Sequence, residues 1–309
     1  MSPATSTSPR ASSWLPGFIA LGLVWGLSFL FIAVSLTSLT PFGVACVRTL
    51  LGAAALLAWS GIRRITLSRS ARLWGASLIY AFFVNVIPAF LFAVAETLVS
   101  SALAGVLNAT TPMMTIVMTL LIFRDQRISA NQLVGILTGF VGIVVLSGTL
   151  FEPQGENSVL GIGLVLVATA CYGVAFPFAR RYLSPSGLPA TTLATMQLSS
   201  GAAWFVVALP FFPVQSSPWT LESILAIASL GILGTGFAYI WNFRTINIAG
   251  SAIASTVTYI SPVVAVLAGV VFINESVHWY QILGGAIVVL SAALVQERIR
   301  IFTAKTPGK

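Results

Sequence analysis

The segment Ser101-Ala-Leu-Ala-Gly-Val-Leu-Asn-Ala-Thr-Thr-Pro112 recurs 150 residues later as Ser251-Ala-Ile-Ala-Ser-Thr-Val-Thr-Tyr-Ile-Ser-Pro262. Further matches, in the same order along the chain, are Asp125 with Glu275, Gly135 with Gly285, Trp25-Gly26 with Tyr172-Gly173, and Gly52-Ala-Ala54 with Gly201-Ala-Ala203. Chance can produce one such match, but not an ordered set of them. The sequence therefore predicts two related units.

The composition indicates that these units lie in lipid. Apolar residues make up 57% of the 309 residues, and charged residues only 7%. A soluble globular chain carries about 25% charged residues. So little charge leaves too little polar surface to keep a fold dispersed in water, and no room is left for a soluble domain.

Ten apolar runs follow one another, each close to the ~20 residues that a membrane-spanning helix needs. They are Leu15–Leu36, Phe42–Ile62, Leu73–Val94, Leu98–Phe123, Ala130–Leu150, Val159–Arg180, Pro189–Phe212, Leu221–Trp241, Ile248–Ile273 and Trp279–Val295. The alternating segments of about ten residues that are typical of a membrane β-barrel do not occur. We predict an all-α polytopic membrane protein with ten transmembrane helices.

Five helices in each unit is an odd number, so the second unit must begin on the opposite side of the membrane. The prediction is a tail at 1–14, a five-helix repeat at 15–150, a linker at 151–158, an inverted five-helix repeat at 159–296 and a tail at 297–309. Inverted repeats are a recurring design of secondary transporters, with the solute site near mid-membrane between the halves.

Basic residues set the predicted orientation. Fourteen of the 15 Lys and Arg residues lie in segments that face one side when both termini are cytoplasmic, and Arg48 lies within the second run. Such asymmetry follows the positive-inside rule. The net charge of +8 is therefore explained by topology and by contact with lipid headgroups, and not by binding to nucleic acid. We predict a multi-pass protein of a bacterial inner membrane. Its oligomeric state stays open, and a monomer is compatible with the sequence.

Arg48 is a candidate solute-binding residue. It lies about six residues inside its run, or ~9 Å deep at 1.5 Å per residue. A charge at such a depth costs roughly 2.5–3.5 kcal/mol unless it meets water or a partner. Arg48 could meet a solute carboxylate or line the pore. It could equally extend towards the interface or bind a carbonyl of a neighbouring helix. Gln197 is its counterpart in the second unit.

Aromatic and amide side chains suggest a chamber at mid-membrane. Trp25 and Tyr172 correspond across the repeat and lie near the middle of their runs. The other candidates for the chamber are Tyr80, Asn85, Asn108, Tyr239 and Tyr259. Apolar walls with a few hydrogen-bonding groups are typical of small-molecule sites. Ordinary core packing or contact with lipid is the alternative for each of them.

Pro112 and Pro262 occupy matched positions and are predicted gating hinges. A proline inside a helix removes a backbone hydrogen bond and bends the helix, and interrupted helices in matched positions point to transport sites. The alternative is that transmembrane helices simply tolerate these prolines.

The sequence lacks the motifs that are typical of enzymes and of ATP-driven pumps. No Gly-x-x-x-x-Gly-Lys phosphate loop, no metal-ligand cluster and no catalytic constellation occurs. We therefore predict no catalytic residue, no metal and no cofactor. No carboxylate lies near mid-membrane, where a proton relay is expected. The sequence thus predicts transport without a strict proton dependence.

The chain resembles the drug/metabolite transporter superfamily, specifically its bacterial EamA-type exporters, from about Leu15 to Val295. The residues that carry the resemblance are Trp25-Gly26, Pro41, Arg48, Ser101-Ala102, Pro112, Asp125, Ser251-Ala-Ile-Ala-Ser255, Tyr259, Pro262, Glu275 and Gly284-Gly285. One departure is Arg124-Asp125, where the family usually has Gly-Glu. The resemblance implies ten helices in an inverted five-plus-five repeat, with amino acid exporters, including the aromatic amino acid exporters called YddG, as the nearest kin.

The predicted function is therefore export of amino acids or related small metabolites by alternating access. Three alternatives remain at this point. The same fold could carry drugs or nucleotide sugars. A membrane-embedded lipid-modifying enzyme would need a polar catalytic constellation near one membrane face, which is not found. A passive channel does not explain the matched prolines and the repeat.

Overall fold

The computed structural model describes residues 14–123, 129–148, 158–249, 257, 260–295, 298–299 and 301. In these residues the regular structure is helical, apart from one isolated bridge between Leu39 and Gln215. Within the described residues, seven helices are long and apolar enough to cross a membrane, and three further apolar helices are shorter. This confirms the all-helical, multi-span class. The count of ten crossings and the inverted relation of the halves stay predictions.

The helices follow the predicted runs to within a few residues, with one exception. They are α1 Leu15–Ser35, α2 Pro41–Ile62, α3 Ala71–Ala95, α4 Ser101–Ile122, α5 Ala130–Ser147, α6 Val159–Tyr182, α7 Ala190–Ala208, α8 from Leu221 through Ala249, α9 Ile260–Ile273 and α10 Trp279–Val295. The prediction that α8 ends at Trp241 and that the next helix begins at Ile248 was wrong. Apolar residues continue past Arg244, and hydropathy alone does not mark where a helix stops.

Serine and threonine side chains fix the starts of several helices. Thr40 Oγ1 accepts a hydrogen bond from the N–H of Gly43 at 2.9 Å, and Pro41 occupies the first helical position of α2. Ser129 and Gln132 form a reciprocal capping box at α5. Such caps satisfy N–H groups that have no partner within the helix. The helix ends are therefore set by local sequence, and their mutual arrangement is set by packing.

Glycines allow α5 and α10 to approach closely. A Cβ added to Gly142 would meet Val288, and one added to Gly284 would meet the backbone of Leu146. The outer side of α5 instead presents large apolar side chains, namely Leu133, Leu137, Phe140, Val141 and Val144. Small residues thus face the neighbouring helix and large ones face outward, as expected for helices packed in lipid.

Two pairs of segments from the two predicted halves meet at one end of the bundle. Ser216 N donates to Ser38 O at 3.0 Å, and Thr40 N donates to Val214 O at 3.0 Å. At the same end, the Glu275 carboxylate accepts hydrogen bonds from the start of α4. We call this end the clasped face. In the sequence-based orientation it is the periplasmic one.

Helix geometry departs from the α-helix near the expected site. Phe82–Val86 in α3 and Leu230–Phe237 in α8 are π-helical, and a 3₁₀ turn at Asn108–Thr110 interrupts α4. Pro112 therefore lies in the first turn of a new α-helical segment rather than in an unbroken helix. There its missing N–H costs little, because that N–H would have no partner in the helix. Pro262 is the third residue of α9. The hinge role of both prolines stays a prediction.

Candidate functional site

A buried amide pair joins α3 to α7. Gln197 Nε2 donates to Asn85 Oδ1 at 2.6 Å, and both side chains are buried. Asn85 lies in the π-helical segment of α3, a type of irregularity that recurs at functional sites. Gln197 Oε1 is buried and has no hydrogen bond within the part of the chain described here. A buried acceptor without a donor is costly. This oxygen is therefore suited to accept a hydrogen bond from a solute.

Arg48 reaches from α2 to the π-helical segment of α8. Its Nε donates to Thr235 Oγ1 at 3.1 Å, while the Thr235 hydroxyl donates to the Leu230 carbonyl at 2.9 Å. Arg48 also interacts electrostatically with Tyr172, Tyr239 and Glu96. The sequence left open a tie to a carbonyl of a neighbouring helix, and the structure shows a tie through Nε to a hydroxyl instead. The terminal guanidinium nitrogens remain available for a second role.

Aromatic rings surround these polar groups. The ring of Trp25 meets that of Tyr239 edge-on, with 6.0 Å between centroids. Tyr239 O–H donates to the Val84 carbonyl at 3.3 Å. Tyr172 stacks on Phe92 at 6.1 Å, and Tyr80 interacts electrostatically with both Tyr172 and Tyr239. The three tyrosines and Trp25 therefore lie around one region between α1, α3, α6 and α8.

Of the eight predicted binding residues that the structure describes, seven are thus brought together and one is not. The seven are Trp25, Arg48, Tyr80, Asn85, Tyr172, Gln197 and Tyr239. Asn108 is occupied within its own turn, where its backbone carbonyl accepts the Thr111 hydroxyl at 2.7 Å and its Oδ1 receives the same hydroxyl at 3.3 Å. Tyr259 lies outside the described residues.

Thr235 is a site residue that the sequence reasoning missed. The available signal was the glycine cluster Gly231, Gly234 and Gly236 around it. A Cβ added to Gly231 would meet the side chain of Leu51 and the carbonyl of Arg48. The glycines thus allow α8 to approach α2 closely enough for the Arg48–Thr235 hydrogen bond. In the residues described, no three His, Cys, Asp or Glu side chains are grouped as metal ligands would be.

Comparison with known protein families gives two matches along the chain. The sequence profile of the EamA-like transporter family matches residues 12–148 and, a second time, residues 159–296. The chain belongs to the EamA-like transporter family. Each match covers one of the two units that the sequence repeat predicts, and the site residues of this EamA-family chain come from both matched regions.

Full-length relatives carry transporter names. The chain is 28% identical to a protein of Archaeoglobus fulgidus named an uncharacterized transporter, over 89% of this chain and 95% of that protein. It is 26% identical to the Escherichia coli protein named uncharacterized inner membrane transporter YedA, over 93% of this chain and 91% of that protein. This EamA-family chain is thus a multi-span membrane protein of a transporter family.

A solved structure supports the fold. One crystal structure of a protein matches with a TM-score of 0.63 at 22% identity, covering 95% of this chain and all of that one. At this identity the match supports the helical arrangement of the EamA-family chain and carries no information on its solute.

Proposed function

We propose that this protein is a secondary transporter that exports amino acids or related small metabolites across the inner membrane by alternating access. In this proposal ten helices form two inverted repeats at 15–150 and 159–296, joined by 151–158, with both tails, 1–14 and 297–309, in the cytoplasm. Kinship with the YddG exporters is part of the proposal and rests on motif resemblance. The family membership and the transporter names of the relatives support the transport class.

One observation carries the solute class, namely that Arg48 and Gln197 Oε1, which has no hydrogen bond among the described residues, both lie in the region bordered by the aromatic rings. A guanidinium binds a carboxylate through charge-assisted hydrogen bonds. An amide oxygen without a donor accepts from an ammonium group. An amino acid presents one group of each kind beside an apolar side chain. Trp25, Tyr80 and Tyr172 then supply the walls against which that side chain is buried.

Counterflow in proteoliposomes tests this proposal directly. We expect vesicles loaded with an unlabelled amino acid to accumulate the labelled one, most strongly for solutes with apolar side chains. A panel that also includes a nucleotide sugar, a cationic drug and an amino acid ester distinguishes the solute classes. The ester lacks the carboxylate and should be transported poorly. Accumulation of the drug or the nucleotide sugar, with none of the amino acids, would contradict the proposal.

Replacing Trp25 with alanine should impair recognition of bulky solutes selectively. A solute side chain that loses about 50 Å² of apolar contact loses about 1.3 kcal/mol, or about tenfold in affinity. We therefore expect Trp25→Ala to raise the half-saturation concentration for phenylalanine about tenfold and that for alanine much less. Trp204→Ala is the matched control, because Trp204 is half-exposed and its indole N–H donates to the Leu78 carbonyl at 3.1 Å. Equal effects on both amino acids would place Trp25 outside the chamber.

The orientation is tested by reporter fusions at Gly155 and Lys309. The distribution of basic residues predicts a periplasmic reporter at the first position and a cytoplasmic one at the second. Two reporters are fused at each position, one that is active only in the cytoplasm and one that is active only in the periplasm. If both fusions reported the same side, the ten-helix topology would be wrong.

A further inference from the structure

Two carboxylates with opposite surroundings lie at the clasped face. Glu275 follows α9, and Asn274 before it adopts a left-handed conformation with φ 54° that turns the chain back towards α4. The Glu275 carboxylate accepts hydrogen bonds from Ser101 N at 2.8 Å, from Ser101 Oγ at 2.8 Å and from Ala102 N at 2.9 Å. These donors form the start of α4, where the helix dipole favours negative charge. These hydrogen bonds therefore hold the Glu275 side chain at the start of α4.

Glu96 has the reverse environment. It follows the last residue of α3, at the helix end where the dipole disfavours negative charge. Both of its carboxyl oxygens are buried, and neither has a hydrogen bond of normal geometry to any residue that the structure describes. Burial raises the pKa of Glu96 well above its usual range, and the nearby Glu275 raises it further. Arg48 and the backbone N–H of Ala33 oppose this shift without cancelling it.

The hydrogen bonds of Glu275 join the second matched region to the first. Glu96 is protonated as long as this joint excludes water from it. If Glu275 leaves the start of α4, water reaches Glu96 and stabilises its ionised form, with Arg48 as the counter-charge.

We propose that Glu96 is a proton-binding site that locks the clasped face, with its proton bound while the face is shut and released to water when the face opens. The step is a transfer of one proton from the carboxyl oxygen to water, and no other bond changes. The inference rests on the proposed alternating-access function, and it differs from the sequence-based prediction of transport without a strict proton dependence. The difference arises because Glu96 is buried at a helix end, which its depth along the sequence does not indicate.

Cysteine labelling tests the lock without any solute. Ala102 is buried beside Glu275, so Ala102→Cys becomes accessible when α4 separates from the loop after α9. The native thiols of Cys46 and Cys171 are first removed by Cys46→Ala and Cys171→Ala. The protein is placed in nanodiscs, and a water-soluble maleimide is the probe. Maleimide reacts with the thiolate, so the labelling rate of any cysteine rises with pH. The rate for Ala102→Cys is therefore divided by that for Ser217→Cys, an exposed position of the same face.

We expect labelling of Ala102→Cys to rise with pH. The shut state binds the proton, so raising the pH favours the open state. For one proton, the ratio of open to shut protein rises by up to about tenfold per pH unit. Adding Glu96→Gln should give slow labelling that does not change with pH. Glu96→Asp should keep a pH dependence, and Glu275→Ala should give fast labelling at every pH.

Two control variants exclude other sources of the pH dependence. Glu222→Gln removes an exposed carboxylate of the same face. His278→Gln removes the single histidine of the chain, since histidine exchanges protons near neutral pH. Both should behave like the parent. A pH profile that is the same in Glu96→Gln as in the parent would overturn the inference. Counterflow could still succeed in that case, so failure of the lock and failure of the transport proposal are distinguishable.

Discussion

Replacing Arg48 with alanine is expected to raise the half-saturation concentration for amino acids by about 10- to 150-fold. Hydrogen bonds to charged groups contribute about 1.5–3 kcal/mol each, and about 1.4 kcal/mol corresponds to a factor of ten. Arg48 supplies the positive charge that acts on Tyr172 and Tyr239 in the chamber. Loss of its terminal nitrogens leaves a solute carboxylate buried without a counter-charge.

Two further variants separate solute binding from the structural tie. Thr235→Val removes the acceptor of the Nε hydrogen bond, which measures 3.1 Å, and leaves the charge. Arg48→Lys keeps the charge but loses the planar fork that binds a carboxylate through two hydrogen bonds. We expect Thr235→Val to affect transport mildly and Arg48→Lys to restore part of the loss. Arg244→Ala, an exposed arginine of α8, is the matched control and should transport like the parent.

The measurement is initial-rate counterflow over a range of solute concentrations, with thermal unfolding of each purified variant. An amino acid ester provides the internal comparison, because it lacks the carboxylate. If Arg48→Ala impaired the ester and the acid equally, or if Thr235→Val reproduced the whole loss, Arg48 would serve only to tie α2 to α8.

Replacing Gly43 with alanine is expected to destabilise the protein by about 3 kcal/mol, at the upper end of the usual range for overpacking. A Cβ at this position would overlap the carbonyl oxygen of Val214. That oxygen is backbone, and it already accepts the hydrogen bond from Thr40 N. It cannot move away without breaking the contact between the α1–α2 and α7–α8 loops.

Gly61 provides the matched control within the same helix. A Cβ at Gly61 meets no atom within 4 Å, so Gly61→Ala should stabilise α2 by about 0.5–1 kcal/mol through helix propensity alone. Thermal unfolding in detergent, followed by tryptophan fluorescence, measures both variants. Equal midpoints for Gly43→Ala and Gly61→Ala would show that the clasped face is looser than its hydrogen bonds indicate.

The helical class and the residues at helix mid-points could be predicted because both depend on quantities that the sequence displays. Depth along an apolar run placed Trp25 and Tyr172, and the structure brings both into the aromatic region. Depth does not specify which side of the helix a residue faces. Asn108 lies at a suitable depth, but it turns towards Thr111 within its own 3₁₀ turn.

Other parts of the site could not be predicted, because they depend on backbone geometry. The π-helical segments that hold Asn85 and Thr235 have no signature in hydropathy, since the apolar pattern runs through them unchanged. The different surroundings of Glu96 and Glu275 arise from which helix end each carboxylate meets. That depends on how segments about 170 residues apart along the chain come together.

The π-helical segment of α3 allows this helix to accommodate a change in chain length. A π turn holds one residue more than an α turn between hydrogen-bonded partners, so Phe82–Val86 is equivalent to an α-helix with one residue inserted. Deleting one residue there would restore the α-helix, and the rest of α3 would keep nearly the same orientation. Glu96 would then still face Arg48 and Glu275. A gap of one residue at this position in a relative is therefore compatible with the same packing of α3, whereas a gap elsewhere in α3 would rotate the residues after it by about 100°.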